Sequence, residues 1–315
     1  MSTRRPRWST TVRGEFRRHA ESEKYHADIL DAGSECGDLL RINLNRITVA
    51  KRVNHDERAA KAWPVLVKVA ADSETITYGQ LAKAIGIHHR PLRYVLGRLQ
   101  DHCIHEELPP LTILVVRGGD KRPGTGFIGW EAELGDRRAL VHAFDWSSLR
   151  NPFEYAIDGP SYGELVSRVL EDPANAADVY QLVKVRGVRQ RLFRDVLFEA
   201  YDGACAFCGL TFYESLDAAH IHPWALCAEK DRINPRNGIL LCANHHRMFD
   251  MGNLAVTPDF RIEYADPEKK DGPYSPIDES MSAALHGRTL RLPARAELRP
   301  DPLLISVRRA QDEPD

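Results

Sequence analysis

Residues 205–252 read CAFCGLTFYESLDAAHIHPWALCAEKDRINPRNGILLCANHHRMFDMG, and the order of polar groups in this stretch decides the reading of the chain. Cys205-Ala-Phe-Cys208-Gly209 is a tight knuckle able to present two thiolates to one ion. Leu216 to Ile221 reads as a short strand, and Asn237 to Cys242 leads into Ala243-Asn-His245-His246-Arg-Met-Phe-Asp250. Two metal sites can be built from these groups. Cys205, Cys208, Cys242 and His245 make a Cys3His set, with two residues between the members of each pair, which suits a closed tetrahedral and therefore structural zinc. Asp217, His220, Asn237, His246 and Asp250 are oxygen and nitrogen donors. His246 and Asp250 are four apart and share one face of a helix. Such donors suit a harder divalent ion that keeps water in its open positions.

Upstream, Leu192, Phe193, Val196, Leu197 and Ala200 recur at helical spacing within Gln190 to Tyr201, and Asp202-Gly203 ends that helix. Lys184, Arg186, Arg189, Arg191 and Arg194 form a basic run there, read as a phosphate-facing surface. Residues 151–180, with Pro152, Gly159, Pro160 and Pro173 around one helix from Tyr162 to Glu171, read as a linker. Residues 56–150 have a different grammar. Ala59 to Ala71 is a helix with Pro64 early in it, followed by the β-branched run Thr75-Ile-Thr. Tyr78 to Ile85 is a second helix stopped by Gly86, and Arg90 to Cys103 a third. Leu111 to Val116 is expected as a strand, Arg117 to Gly126 as a basic glycine-rich turn, and Phe127 to Trp130 as the returning strand. That order is a winged helix, whose last helix enters the major groove. Arg90, Arg93 and Arg98 on the helix and Arg117, Lys121 and Arg122 on the wing are its candidate DNA contacts. Residues 1–55 read as a basic arm and a small element.

Two resemblances add to this. Thr77-Tyr-Gly-Gln-Leu-Ala-x-x-Ile-Gly, followed by Arg90 and Arg93, resembles the winged helix of DNA alkyltransferases. Their Pro-Cys-His-Arg is replaced by Leu108-Pro-Pro-Leu, so alkyl transfer does not carry over. Leu216-Asp-Ala-Ala-His220-Ile-His-Pro223, Asn237-Gly-Ile-Leu-Leu-Cys242 and His246-x-x-Phe-Asp250-x-Gly252 together resemble the HNH, or ββα-metal, nuclease motif. With Arg189-x-x-x-Phe193-Arg194 and the tail His286-Gly-Arg-Thr-Leu-Arg-Leu-Pro293, the frame is similar to predicted restriction endonucleases carrying this module C-terminally. The resemblance implies His220 as general base, Asn237 as the residue that shapes the loop and orients the base or touches metal, and His246 as metal ligand. Asp250 stands where relatives carry a second helix ligand. Many relatives bind metal through the residue before the base, which here is Ala219. Asp217 shares a strand face with it and is the substitute ligand, or the group orienting a neighbour. The implied catalytic ion is Mg²⁺ or Mn²⁺, and the products 5′-phosphate and 3′-hydroxyl ends.

The expected class is therefore α+β: a central winged-helix-like domain (56–150), a linker (151–180) and a C-terminal zinc-stabilised nuclease domain (181–315). The length of 315 residues agrees with about two domains. No apolar run is long enough for a bilayer span and no secretory leader is read, so a reducing cytoplasmic setting is expected. The net charge of −2 excludes a uniformly basic protein but leaves local basic patches for nucleic acid. The function expected is a restriction or defence endonuclease on double-stranded DNA, with a modified base as target left open. Cutting both strands with one site per chain calls for two copies, a homodimer on DNA. The alternatives are a non-catalytic zinc-stabilised DNA-binding regulator and a mobile-element or toxin nuclease.

Overall fold

The computed structural model describes residues 53–124 and 134–312. The basic arm up to residue 52 and the expected returning strand Phe127–Trp130 lie outside the described residues. Two compact units meet between Phe153 and Glu154. Among the described residues, no helix is long and apolar enough to cross a membrane.

In the first unit, α1 (His55–Ala71) starts at Asn54, whose side chain accepts from the N–H groups of Asp56 and Glu57. The helix thus begins earlier than Ala59, and Pro64 falls in its interior rather than near its start. A proline has no N–H for the carbonyl four residues back. That carbonyl belongs to Ala60, and Asn151 donates to it from Nδ2 at 2.8 Å. Strand β1 (Ile76–Thr77) runs into α2 (Tyr78–Ala84), with Thr77 and Gln80 forming a reciprocal capping box. Gly86, at φ +70°, follows the end of α2. Then comes α3 (Leu92–His105). Leu111–Leu114 is a 3-10 turn rather than a strand, and only β2 (Val115–Val116) is extended, pairing in parallel with β1. Ile113 donates to the Pro110 carbonyl and winds the turn, while burial is continuous through both segments. Helix α4 (Leu134–Ala143) completes the unit. Its core joins Trp63 and Leu66 with Leu81, Leu92, Leu99, Ile113, Trp146 and Phe153.

The second unit contains α5 (Tyr162–Glu171), α6 (Ala176–Leu182) and α7 (Arg186–Ala200). Residues 151–180 are therefore not a bare linker. Leu165, Val169, Val179 and Tyr180 are buried in one core with Phe193, Leu197, Ile239 and Phe249. Of the prolines that suggested a linker, Pro152 and Pro160 precede α5 and Pro173 opens the turn between α5 and α6. Strands β3 (Leu216–His220) and β4 (Gly238–Cys242) pair antiparallel, with His220 opposite Gly238 and Leu216 opposite Cys242. Helix α8 (Ala243–Asp250) follows β4 directly. A Cβ at Gly238 would stand 2.5 Å from Phe193 and Leu197 side-chain atoms, so glycine lets α7 press onto the hairpin. Strands β5 (Leu254–Val256) and β6 (Ile262–Tyr264) form a second hairpin, followed by α9 (Pro276–Met281) and α10 (Pro302–Asp312). Between α9 and α10, the Gly-x-x-x-x-Leu-Pro segment ties β6 to the cysteine knuckle. Gly287 donates to Ile262, Leu290 to Phe260 and Arg291 to Ala206 through their backbone N–H groups.

Asn151→Ala should lower the stability of the first unit by about 1–3 kcal/mol, because a partly buried carbonyl loses its donor. Adding Pro64→Ala should return part of that loss by restoring a helical N–H. Urea denaturation of the single and double variants measures both, and no recovery in the double variant would remove Asn151 from this role.

Candidate active site and metal cluster

β3, β4 and α8 carry nearly every polar group read from the sequence. His220 ends β3 with its ring stacked on Phe193 at 4.1 Å and set edge-on to Trp224 at 5.6 Å. Its Nε2 lies 2.9 Å from the Arg232 carbonyl. A carbonyl only accepts, so Nε2 carries the hydrogen and Nδ1 is left with its lone pair. Burial pushes the His220 pKa below its ordinary value and outweighs the hydrogen bond to Arg232, and nearby His246 pushes the same way.

Asn237 is fully buried. Its Oδ1 accepts from the His222 N–H at 2.8 Å, and its Nδ2 donates to the carbonyls of His222 at 3.1 Å and Asp231 at 3.2 Å. The side chain thus closes the long loop between β3 and β4, and its polar atoms are occupied by backbone.

His246 stands between two carboxylates. Nδ1 is 3.6 Å from Asp217 of β3, and Nε2 is 3.4 Å from Asp250 one turn along α8. Both acids are half exposed. Of the five donors read as the harder site, Asp217 and Asp250 thus flank His246, one at each ring nitrogen.

The ligand atoms of Cys205, Cys208, Cys242 and His245 all lie within 4.8 Å of one another. His245 Nδ1 is 3.2 Å from Cys242 Sγ and 3.5 Å from Cys205 Sγ. Its Nε2 donates to the Met281 carbonyl at 3.1 Å, which directs Nδ1 at the sulfurs. Hydrogen bonds from Cys208 and Cys242 hold Cys205 well below the ordinary thiol range, and sharing with Cys205 and Cys208 pushes Cys242 up. Gly209, at φ +77°, closes the knuckle by donating to the Cys205 carbonyl. Three sulfurs and one imidazole nitrogen converging in this way form a donor set that fits zinc, with no room for a catalytic water.

Arg308 of α10 is a site residue that the sequence reading missed. Its guanidinium donates to the carbonyls of His220 and Ile221 at 3.3 Å and of Phe249 at 2.7 Å, and packs on the Phe249 ring. It ties the end of β3 to the last turn of α8. An arginine in an ordinary amphipathic helix gives no local signal for this.

The basic run of α7 is mostly not a free phosphate surface. Arg189 donates to the Val183 and Tyr180 carbonyls, Arg191 packs on Tyr162 inside the fold, and Arg194 holds the Leu216 and Tyr213 carbonyls. In the first unit, Arg90, Arg93, Arg117, Lys121 and Arg122 are exposed. Arg93 lies over the Tyr94 ring at 4.6 Å, and Arg117 pairs with Asp120. Arg98 instead pairs with buried Asp56 at 3.4 Å, tying α3 to α1.

Residues 205–257 match the model of the HNH_2 family, HNH endonuclease. No curated protein matches the chain. The chain thus carries an HNH endonuclease domain in its second unit, a metal-dependent nuclease module that acts on nucleic acid.

The purified protein should hold about one zinc per chain through Cys205, Cys208, Cys242 and His245. Cys208→Ser should lose the zinc and unfold the second unit, since such sites contribute about 10 kcal/mol or more at neutral pH. Metal analysis beside circular dichroism checks this; a folded zinc-free protein would exclude the structural site.

Proposed function

We propose that the chain is a metal-dependent DNA endonuclease of restriction or defence type. The observation that carries this is the orientation of His220 inside the HNH match. Its Nε2 is committed to the Arg232 carbonyl, so Nδ1 is the free base. Burial keeps the ring neutral at pH 7 and so ready to take a proton. In the reaction, Nδ1 takes a proton from water as the water oxygen bonds to phosphorus. The bond from phosphorus to the 3′-oxygen breaks, and that oxygen is protonated from solvent. The ends are 5′-phosphate and 3′-hydroxyl.

Asp217, His246 and Asp250 are the residues that would hold Mg²⁺ or Mn²⁺. Asp217 faces Nδ1 of His246 and Asp250 faces Nε2, so one carboxylate could share a hard ion with a ring nitrogen while the other holds the ring from its far side. When bound, such an ion supplies positive charge to the scissile phosphate and the leaving oxygen. Asn237 acts on the reaction as a positioning residue, by fixing the loop that carries the Arg232 carbonyl. A zinc–thiolate cluster suits a reducing cytoplasmic setting.

The first unit is proposed to select the target as a winged-helix-like module on double-stranded DNA. Arg90 and Arg93 face the bases, and Arg117, Lys121 and Arg122 face phosphate. Arg98 supports the fold through Asp56. Two copies on one target would cut both strands, and a modified base within the target is compatible with this arrangement.

His220→Ala should lower kcat by roughly 10²–10⁴-fold with DNA affinity retained. A plasmid cleavage assay with Mg²⁺ or Mn²⁺ measures it; near-wild-type cutting would exclude His220 as base. The wild-type rate should fall as pH drops through the lowered His220 pKa, because protonation removes the Nδ1 lone pair. The acid limb of kcat/KM should therefore lie below about pH 6.5. In competition binding, Arg93→Ala should relax sequence choice by ~1–3 kcal/mol. Lys121→Ala should weaken all sequences alike and reduce the salt slope by about one.

A further inference from the structure

We propose that Trp224, Arg186 and Arg232 form a binding shoulder for the DNA strand beside His220, gripping a phosphate next to the scissile one. This rests on the nuclease reading above. The loop leaving β3 brings the Trp224 indole to 5.6 Å from the His220 ring, perpendicular to it. Phe193 occupies the stacked position against the same imidazole, so Trp224 is the second aromatic wall of the base. Two guanidinium groups lie on that indole, Arg186 at 5.7 Å and Arg232 at 5.6 Å.

These cations come from separate places in the fold. Arg186 opens α7 and is exposed. Arg232 lies in the loop that supplies the carbonyl to His220, and its side chain donates to the Tyr180 hydroxyl. No carboxylate is paired with Arg186 among the described residues, and its contact is the indole face. Arg232 has Glu229 at 3.8 Å, and that acid is mostly exposed. The Arg232 Nε–H is buried with no hydrogen-bond partner. An aromatic ring bearing two cations, of which Arg186 is exposed, is suited to an anion carrying a flat or apolar neighbour. A sugar-phosphate strand presents that combination: the guanidinium groups take the phosphate, and the indole packs on the adjoining sugar or base. The next residues, Ala225 and Leu226, are exposed, and Leu226 keeps 63 % of its surface in solvent, extending the apolar side of the shoulder. The three arginines of α7 that the fold consumes leave Arg186 as the one placed to reach a ligand.

The test uses the full chain carrying His220→Ala, so that DNA is bound and not cut. Its affinity for a fluorescein-labelled duplex is read by anisotropy over a salt series, and intrinsic tryptophan fluorescence is followed in parallel with an unlabelled duplex. Arg186→Glu should weaken binding roughly tenfold, and Arg186→Ala should lower the salt slope by about one. Trp224→Phe should remove most of the fluorescence change that DNA produces. Unchanged affinity and slope in both Arg186 variants, with the fluorescence change intact in Trp224→Phe, would overturn the shoulder. Arg186 is exposed, so its variants keep the test valid if Trp224→Phe does not fold. If the wild-type chain cuts no DNA and the His220→Ala parent binds none, the nuclease reading itself fails. Normal cutting and binding with unaffected variants would remove the shoulder alone.

Discussion

Asn237 has no contact with solvent, and its carboxamide meets three polar backbone groups of the loop it closes. The loop between β3 and β4 has only short 3-10 turns of its own. Its amides and carbonyls therefore need partners from elsewhere. By accepting from His222 and donating to His222 and Asp231, Asn237 fixes both ends of the loop together. Arg232 follows Asp231, and its carbonyl is the group that holds the His220 ring. One buried amide thus sets the backbone, the backbone sets the tautomer, and the tautomer decides which nitrogen can take a proton. The glycine next to Asn237 completes the arrangement by letting Phe193 approach and support the same imidazole.

A hairpin and an eight-residue helix cannot bury enough apolar surface to hold their own geometry. Three supports surround them. The cysteine knuckle and α8 share the Cys3His cluster. The base of the hairpin lies on α7 through Phe193 and Leu197. The carboxyl-terminal helix reaches back through Arg308, which satisfies carbonyls at the end of β3 and in the last turn of α8. Helix ends leave carbonyls without partners, and a cation there also meets the negative end of the helix dipole. Asp301, at the start of the same helix, bonds Arg236 just ahead of Asn237, so α10 grips the loop as well as the hairpin.

What was legible in the sequence was chemistry at fixed local spacing. The Cys–x–x–Cys and Cys–x–x–His pairs and the helical step from His246 to Asp250 follow from short-range geometry, and the structure brings those groups together. Contacts between residues distant in the chain were not legible. Arg308 and Asn151 act on carbonyls far away in sequence, and neither sits in a recognisable pattern. The α7 arginines misled for a related reason. Arg189, Arg191 and Arg194 look like a solvated charge run, but their guanidinium groups are used by backbone carbonyls and tyrosine rings brought in by packing. The expected strand begins only at Val115, because Ile113 donates to the Pro110 carbonyl and winds Leu111–Leu114 into a 3-10 turn, whereas burial is continuous through both segments and does not distinguish them.

His245 and His246 are neighbours on α8 and serve opposite environments. One helical step turns successive side chains by about 100°. His245 points inward, fully buried among sulfurs, while His246 points to the half-exposed carboxylates. The buried set is soft and closed, which suits an ion that gives strength to the fold. The open side carries oxygen donors in contact with solvent, a different chemical environment from the sulfurs. α8 therefore separates the buried Cys3His cluster from the half-exposed acids around His246. Arg308 holds the final-turn carbonyl of Phe249 together with the His220 and Ile221 carbonyls and so fixes α8 against the end of β3. That fixed register of α8 against β3 is also what keeps His246 beside Asp217.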